Sequence, residues 1–407
     1  MSSCRFCNHP LVTSFVDLGL SPLSNSLTPA EHSTQGERTY PLHAYLCDSC
    51  LLVQLEEFES PETIFSDYVY FSSYSTTWLR HAKDFCDAMV SRLGLDGSSF
   101  VMELASNDGY LLRNIVDRGI RCLGVEPAAN VAAVARERGI PTEVLFFGRG
   151  SARLLVATHG QADLIVANNV LAHVPDINDF TAGIAAALRP GGTVSIEFPH
   201  LLQLIENVQF DTIYHEHFSY LSLAFVERLF AAHGLAVWDV EELPTHGGSL
   251  RILGRHGDDP RGTTPAVERV RSAERAAGLH DAATYCDFAP RVLRVKRDLL
   301  RFLLDAQADG RTVAAYGAAA KGNTLLNFCG IRGDLVRFVA DLNPHKQGRL
   351  LPGSRIPVLP PEAIAEREPD YVIILPWNLR EEIAEQLSGI RAWGGRFVTA
   401  IPELRVF

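Results

Sequence analysis

The sequence predicts an α/β protein with three units: a small zinc-binding unit at the N-terminus, then a doubly wound parallel sheet, then a second, Rossmann-like α/β unit. Two Cys-x-x-Cys pairs lie within the first fifty residues. From about residue 79, short apolar segments alternate with helical segments, the pattern of a parallel sheet with helices on both faces. A second strand, glycine turn and helix begin near residue 312. We place the units at 1–75, 76–264 and 265–407, the last beginning with a helical connecting segment.

The N-terminal unit is predicted to hold a structural zinc ion. Its ligands would be two cysteine pairs, Cys4 with Cys7 and Cys47 with Cys50. In a reducing compartment this spacing is typical of a tetrahedral thiolate site rather than of disulfides. Four protein ligands leave no coordination position for a substrate, so the ion is expected to stabilise the fold without reacting.

Composition narrows the class of protein. The 407 residues are 47% hydrophobic and 21% charged, as in a soluble globular protein. The sequence has no apolar run of eighteen residues and no signal-peptide pattern at its start, so a cytoplasmic protein without a membrane segment is expected. The formal net charge of −11 argues against a broadly basic surface, so no nucleic-acid partner is expected.

The first strand-to-helix turn of the middle unit predicts a nucleoside site. The segment VMELASNDGYLL (101–112) leads from a strand into a helix, where ligands of doubly wound sheets bind. Glu126 follows at the tip of the second strand, and a carboxylate there can accept both hydroxyls of a ribose. The turn lacks the GxGxxG pattern that is common in oxidoreductases.

The same turn resembles the E-x-G-x-N-x-G turn of class I methyltransferases, which bind S-adenosylmethionine. One departure is an alanine in place of the usual glycine at the third position. The segments ADLIVANNVLAHVPD (162–176) and LRPGGTVSIEFPH (188–200) resemble the fourth and fifth strands of such enzymes. The resemblance implies S-adenosylmethionine as the methyl donor. The donor-binding residues it implies are Glu103, Ala105, Asn107, Gly109, Glu126, Asn168 and Asn169.

Over essentially the whole chain, the order of these features resembles the nucleotide-sugar C-methyltransferases that build branched deoxysugars for antibiotics. The most specific segments are YHEHFSYLS (214–222) and AYGAAAKGNT (315–324). The resemblance implies a substrate such as a thymidine-diphosphate 4-keto-6-deoxyhexose, bound between the middle and C-terminal units. Methylation would fall on the carbon alpha to the ketone.

A carbon beside a ketone needs a base before it can accept a methyl group, and its enolate oxygen needs hydrogen-bond donors. Histidine is the natural base near neutral pH. By resemblance His217 is that base, with Glu216 nearby, Tyr214 completing the site and Tyr68 as a further polar partner of the substrate. In an extended segment His215 would point to the opposite side, so we interpret it as structural. The His-Glu-His run lacks the HExxH spacing of a helical zinc site.

Two further segments are predicted to contact the substrate. THGGSLRI (245–252) combines glycine N–H groups with Ser249 and Arg251, which suit a diphosphate or a sugar hydroxyl. Tyr316 and Lys321 belong to the second strand-to-helix turn, whose cation could meet the nucleotide diphosphate.

Three other functions fit the residues. Methyl transfer to oxygen or nitrogen of the same class of sugar also needs a base, and a non-sugar ketone could be the carbon acceptor. A binding protein that uses its zinc unit for assembly would have no need of the methyl donor. The expected partner is a nucleotide-sugar substrate, without nucleic acid or membrane, and the chain is expected to act as a monomer.

Overall fold

The predicted three-unit α/β architecture is confirmed by a computed structural model, which describes residues 2–60, 73 and 76–407. Three main sheets follow one another along the chain. Among the described residues, no helix has both the length and the apolar character needed to cross a membrane.

The N-terminal unit is a four-stranded antiparallel sheet whose last strand comes from the middle of the chain. In sheet order its strands are Thr13–Ser21, Tyr40–Leu46, Val53–Leu55 and Ser219–Tyr220. Ser219 pairs with Gln54, and Tyr220 pairs with Val53. Because Ser219 lies two residues after His217, the segment that carries the predicted base is anchored to the zinc-binding unit.

The middle unit is a seven-stranded sheet with five parallel strands and an antiparallel hairpin at one edge. Along the chain its strands are Phe100–Leu104, Arg121–Val125, Thr142–Glu143, Ala162–Asn168, Leu188–Pro199, Leu235–Leu243 and Ser249–His256. Across the sheet they run sixth, seventh, fifth, fourth, first, second, third. The strand order reverses between the first and fourth strands, and such a reversal leaves a ligand-binding crevice at their carboxyl ends. We call this crevice, beside residues 103–109 and 168–169, the donor crevice.

Helices cover both faces of this sheet because its strands are apolar on both sides. Phe100 and Met102 face one core while Val101 faces another. The helices on the first side include Arg149–His159, Ile177–Ala187 and Leu223–Ala232, and those on the second are Thr76–Leu93, Arg113–Val116 and Ala129–Glu137. A short helix, Leu201–Glu206, precedes the segment of the predicted base.

The helix Pro265–Ala276, predicted as part of a connecting segment, belongs to the middle unit. Its Val267 and Val270 are buried in the core of that unit. Its Glu274 accepts hydrogen bonds from the backbone N–H groups of Leu223 (2.6 Å) and Ala224 (2.9 Å). The apolar face of this helix thus completes the middle core, while the boundary at 264 stays a prediction from the sequence.

The C-terminal unit is a six-stranded sheet with five parallel strands and one antiparallel edge strand. In sheet order its strands are Val358–Leu359, Val339–Ala340, Val313–Tyr316, Tyr371–Ile374, Arg396–Thr399 and Arg405–Val406. Its helices are Ala282–Tyr285, Phe288–Ala308, Ala320–Cys329, Glu362–Arg367 and Arg380–Gln386. A separate two-stranded pair, Thr28–Pro29 with Arg349–Leu350, joins this unit to the N-terminal unit.

Candidate active site

Four cysteine sulfurs converge in the N-terminal unit. The Sγ atoms of Cys4, Cys7, Cys47 and Cys50 all lie within 4.8 Å of one another. The Sγ–Sγ distance is 3.5 Å both for Cys4 with Cys50 and for Cys7 with Cys47. Zinc–sulfur bonds of about 2.3 Å in a tetrahedron separate the sulfurs by about 3.8 Å. The donor set therefore fits a zinc ion with four thiolate ligands.

Each cysteine pair lies on a turn of the same geometry. The N–H group of Asn8 donates to the carbonyl of Cys4 (2.9 Å), and that of Leu51 donates to the carbonyl of Cys47 (2.8 Å). Asn8 and Leu51 have left-handed backbones, with φ of 61° and 62°. This conformation costs an ordinary residue about 1–2 kcal/mol. Its occurrence at both turns indicates that the turns are shaped to direct two sulfurs each toward one ion.

The turn after the first strand of the middle unit is held by Glu126. The Glu126 carboxylate accepts hydrogen bonds from the backbone N–H groups of Asn107 (2.8 Å) and Ala128 (2.9 Å). Ala105, Asn107 and Gly109 have φ of 53°, 49° and 77°. The positive φ of Gly109 favours glycine, and a Cβ there would also displace the end of the Ile140 side chain. Ala105 adopts a conformation that glycine adopts without strain, which explains why glycine is usual in this turn.

The C-terminal unit repeats this hydrogen-bonded turn. Asp341, at the end of the second strand, accepts from the backbone N–H groups of Ala318 (2.6 Å) and Asn343 (2.8 Å). Gly317 donates its N–H to the carbonyl of Ala340 (2.7 Å). The two units thus share backbone hydrogen bonds at equivalent positions although their sequences do not align convincingly.

Buried polar atoms without partners line the donor crevice. Glu103 Oε2, Asn168 Oδ1 and both amide atoms of Asn169 have no hydrogen-bond partner among the described residues. Burial, reinforced by the Glu126 carboxylate, raises the pKa of Glu103 well above its usual value. Buried polar groups are normally hydrogen-bonded. These atoms therefore indicate a polar ligand, and the hydroxyl and ammonium groups of S-adenosylmethionine are donors that fit them.

His217 and Tyr214 form a hydrogen-bonded pair in the segment 211–218, which we call the catalytic segment. His217 Nδ1 lies 2.8 Å from the Thr212 carbonyl, which can only accept, so Nδ1 carries the proton. His217 Nε2 is then an acceptor for the Tyr214 hydroxyl at 2.8 Å. Burial, and next the nearby His173, hold the pKa of His217 well below its usual value. The imidazole is therefore neutral near neutral pH and can act as a base.

His215 and Glu216 have different surroundings from His217. His215 packs against the ring of Tyr40 (5.8 Å between centroids), and its Nε2 lies 3.2 Å from the carbonyl of Pro41. These contacts agree with a structural role. Glu216 accepts a hydrogen bond from Asn25 Nδ2 (2.6 Å), and burial raises the pKa of Glu216 to about 7.

All three units touch the catalytic segment. Asn25 belongs to the N-terminal unit. In the middle unit, the carbonyl of Ala172 accepts the N–H of Phe218 (2.7 Å). In the C-terminal unit, Thr324 Oγ1 donates to the carbonyl of Ile213 (3.0 Å). The position of the predicted base therefore depends on every unit.

The predicted substrate residues of the middle unit are engaged within the protein. Arg251 donates to Glu197 Oε2 (3.0 Å) and Glu241 Oε2 (2.8 Å) and is buried. Ser249, also buried, donates its hydroxyl to the carbonyl of Thr245 (2.9 Å). Both side chains thus have partners within the protein, and their assignment to the substrate stays a prediction.

Tyr316 and Lys321 lie on opposite sides of the C-terminal sheet. Tyr316 is 4% exposed and packs in a core with Ile374 and Phe397. The side chain therefore faces away from the helix that carries Lys321, and its role as a substrate ligand stays a prediction. Lys321 Nζ donates to the side-chain oxygen of Asn378 (2.7 Å), and burial lowers the pKa of Lys321.

Two histidines that the sequence analysis did not select lie beside His217. The rings of His173 and His217 meet edge to face with centroids 4.6 Å apart, and His173 Nδ1 lies 2.8 Å from the Glu216 carbonyl. His246 also lowers the pKa of His217, because the two imidazoles would repel each other if both were protonated. The motif segments contained both histidines, but their convergence depends on the tertiary fold. Tyr68, the remaining predicted catalytic residue, lies outside the described residues.

Comparisons with known proteins find relatives for each unit. A zinc binding domain matches residues 4–65, a methyltransferase domain residues 78–240, and a C-methyltransferase C-terminal domain residues 244–402. The C-methyltransferase NovU of Streptomyces niveus is 38% identical over 406 residues, covering 100% of this chain and 97% of that protein. The ubiquinone biosynthesis O-methyltransferase of Methylobacterium sp. (strain 4-46) is 30% identical over 96 residues, 23% of this chain and 37% of that protein.

Two solved methyltransferase structures resemble part of the chain. Magnesium protoporphyrin IX methyltransferase (ChlM) from Synechocystis PCC 6803 with bound SAH is 13% identical, with a TM-score of 0.34, covering 44% of this chain and 87% of that chain. The CcbJ methyltransferase from Streptomyces caelestis is 16% identical, with a TM-score of 0.34, covering 44% of this chain and 89% of that chain.

Proposed function

The chain belongs to the C-methyltransferase family, and on that premise we propose that it methylates a carbon alpha to the ketone of a nucleotide-linked sugar. The proposed acceptor is a thymidine-diphosphate 4-keto-6-deoxyhexose. The enzyme is an S-adenosylmethionine-dependent C-methyltransferase with an N-terminal zinc-binding domain. We propose the identity of the sugar nucleotide and the roles of the individual residues.

The contact between Tyr214 and His217 carries this proposal. Because His217 Nε2 accepts from the Tyr214 hydroxyl, the imidazole can take the hydroxyl proton while the tyrosine oxygen takes the proton of the alpha carbon. The C–H electron pair then forms the carbon–carbon double bond of an enolate. The enolate carbon takes the methyl group, and the sulfur of the donor keeps the electron pair of the broken bond.

S-adenosylmethionine supplies an electrophilic methyl group on a sulfonium. Glu126 would accept the ribose hydroxyls, and Glu103 with Asn168 and Asn169 would meet the remaining polar groups in the donor crevice. The unpartnered buried atoms of Glu103, Asn168 and Asn169 support these roles. Zinc would be held by the four cysteines and would contribute to folding, since four thiolates leave no open position.

Lys321 and Glu216 are the proposed contacts to the sugar nucleotide. Lys321 is a half-buried cation on the first turn of the helix Ala320–Cys329, a position that suits a phosphate group. Glu216 lies in the catalytic segment next to His217, where a carboxylate can orient a sugar hydroxyl.

The proposal is tested with the methyl donor, a panel of nucleotide 4-keto sugars and mass spectrometry. The acceptors carry deuterium at the alpha carbon. Transfer to that carbon replaces one deuterium with a methyl group, whereas transfer to oxygen or nitrogen leaves all the deuterium in the product. A methylated product that keeps all of its alpha deuterium would overturn the carbon mechanism. Methylation of a non-sugar ketone with no turnover of any sugar nucleotide would overturn the substrate class.

A further inference from the structure

His246 lies in a loop that is fixed by two other parts of the molecule. A Cβ on Gly247 would collide with the ring of Trp377, which belongs to the C-terminal unit. Gln209, just before the catalytic segment, donates its side-chain N–H to the carbonyl of Gly247 (2.8 Å). A Cβ on Gly248 would lie 2.6 Å from Gln203 Cγ. The loop is therefore held where the middle unit, the catalytic segment and the C-terminal unit meet.

The backbone of this loop is strained at His246. Three consecutive residues, His246, Gly247 and Gly248, have positive φ of 55°, 90° and 117°. The two glycines adopt such values at no steric cost, but a histidine does not. Strained residues persist where the surrounding structure fixes them, and they concentrate at active sites. Such a conformation at His246, held by the loop contacts above, is consistent with a functional role for its side chain.

The His246 ring is close enough to His217 and His173 to interact with them electrostatically. It packs edge to face on Trp78 with centroids 5.6 Å apart. Across the described part of the chain, neither ring nitrogen makes a hydrogen bond. The charged and titratable groups that act on the ring are Lys321, Glu197, His81 and His173.

Burial, and next the Lys321 cation, lower the pKa of His246 to about 4, so the ring is neutral at neutral pH. A neutral imidazole keeps one N–H to donate. It can therefore form a hydrogen bond to an oxygen on which negative charge develops.

We propose that His246 is a catalytic residue that donates a hydrogen bond to the ketone oxygen of the acceptor as the enolate forms. This inference rests on the proposed function. When the alpha proton leaves toward Tyr214 and His217, the C–H electron pair forms the double bond and negative charge develops on the oxygen. A donor fixed in place before the reaction stabilises that charge. When the carbon–methyl bond forms, the charge returns to the carbon, and the His246 proton stays on its nitrogen throughout.

The two variants His246→Asn and His246→Asp test this role. Asparagine and aspartate both tolerate a left-handed backbone and have the same size. Asparagine can donate through its amide, whereas aspartate donates nothing and places a negative charge beside the oxygen. The measurement is exchange of the alpha proton with heavy water in the presence of S-adenosylhomocysteine, which lacks the reactive methyl group. We expect exchange by His246→Asp to be about 100- to 1,000-fold slower than by His246→Asn.

Equal exchange rates in the two variants would overturn the inference. Donor affinity within about threefold of wild type separates a catalytic loss from a folding loss, and the pair His280→Asn and His280→Asp, at an exposed histidine, should not differ. Should aspartate prevent folding, His246→Gly keeps the backbone conformation without a donor. Exchange of the alpha proton by His246→Gly must then be slower than by His246→Asn. Equal exchange rates would refute the role of His246 as a hydrogen-bond donor. If wild-type enzyme exchanges no 4-keto sugar nucleotide, the proposed function itself fails.

Discussion

At the residue scale, burial shifts two neighbouring side chains of the catalytic segment in opposite directions. Burial disfavours the charged form of each group, so the pKa of His217 falls while that of Glu216 rises to about 7. The result is a neutral histidine beside a carboxyl group that titrates near neutral pH. The sequence predicts that these residues share a site, but it cannot predict these shifts, because burial is a property of the assembled units.

His217→Asn and Tyr214→Phe should each bind the methyl donor normally but lose about a hundred- to ten-thousandfold in turnover. Asparagine cannot accept a proton at neutral pH, and phenylalanine removes the hydroxyl that passes the proton.

Because the folded-state pKa of His217 is lowered, the histidine stays a base as the pH falls below 6.5, the ordinary histidine value. In Glu216→Gln enzyme, which lacks the nearby carboxyl, we expect the acid limb of kcat/KM to lie below that value. If kcat/KM of this variant fell with an apparent pKa of 6.5 or higher, the assignment of His217 as the base would be contradicted.

Glu216→Gln should stabilise the protein at alkaline pH. The folded-state pKa of Glu216 is raised, so its favourable contribution is complete below the unfolded pKa and is lost as pH rises through about 7. Glutamine cannot ionise, so the free energy of unfolding of the variant relative to wild type should grow by roughly 3 kcal/mol between pH 4.5 and 8.5. Urea unfolding at the two pH values measures this. Glu366→Gln, at an exposed position, is the matched control, and parallel curves for Glu216→Gln and wild type would refute the prediction.

At the scale of elements, the sequence predicts long and strongly patterned features better than short ones. The two cysteine pairs and the strand leading to Glu126 have residue spacings that fix their geometry. The strand Ser219–Tyr220 is only two residues long, and its pairing with Val53–Leu55 is a tertiary contact that no local pattern marks. Every residue of Val313–Tyr316 is buried, so the hydrophobic pattern does not show which face of the sheet the side chain of Tyr316 takes.

Cys47→Ser should lower the zinc content and the melting temperature together. Serine is a poor zinc ligand, and the strand that follows Cys50 pairs with Ser219–Tyr220 next to the catalytic segment. Metal analysis and thermal unfolding measure the two effects. Cys286→Ser, an exposed cysteine away from the cluster, should change neither. If Cys47→Ser left both quantities unchanged, the four sulfurs would not form the zinc site.

Glu126→Ala should weaken donor binding by about 1.5–3 kcal/mol, because charge-assisted hydrogen bonds to the ribose are lost. Binding of the sugar nucleotide should change much less. Asp341→Ala removes the equivalent carboxylate of the C-terminal unit and is the matched control, for which donor affinity should stay unchanged. Calorimetric titration measures the affinity of each variant for the methyl donor and, separately, for the sugar nucleotide. Equal losses of both ligands in Glu126→Ala would mean that Glu126 is structural.

At the scale of the whole molecule, three units converge on one short segment. The N-terminal unit contributes Asn25, the middle unit supplies the donor crevice, and the C-terminal unit bonds to Ile213 through Thr324. The sequence predicts the number and order of the units, because each has its own pattern. It does not predict their mutual contacts, since these depend on side chains far apart in the chain.

This convergence sets a rule for building chimeras between relatives with different acceptors. In a chimera joined just after the helix Pro265–Ala276, the residue at the position of Thr324 would come from the donor of the C-terminal unit. The catalytic segment, with Ile213, would come from the other parent. The hydrogen bond to the Ile213 carbonyl would then have to form between residues of different parents. A graft that transfers 209–218 together with the C-terminal unit keeps Thr324 and the Ile213 carbonyl from the same parent, so the contact between the two distant segments is transferred intact.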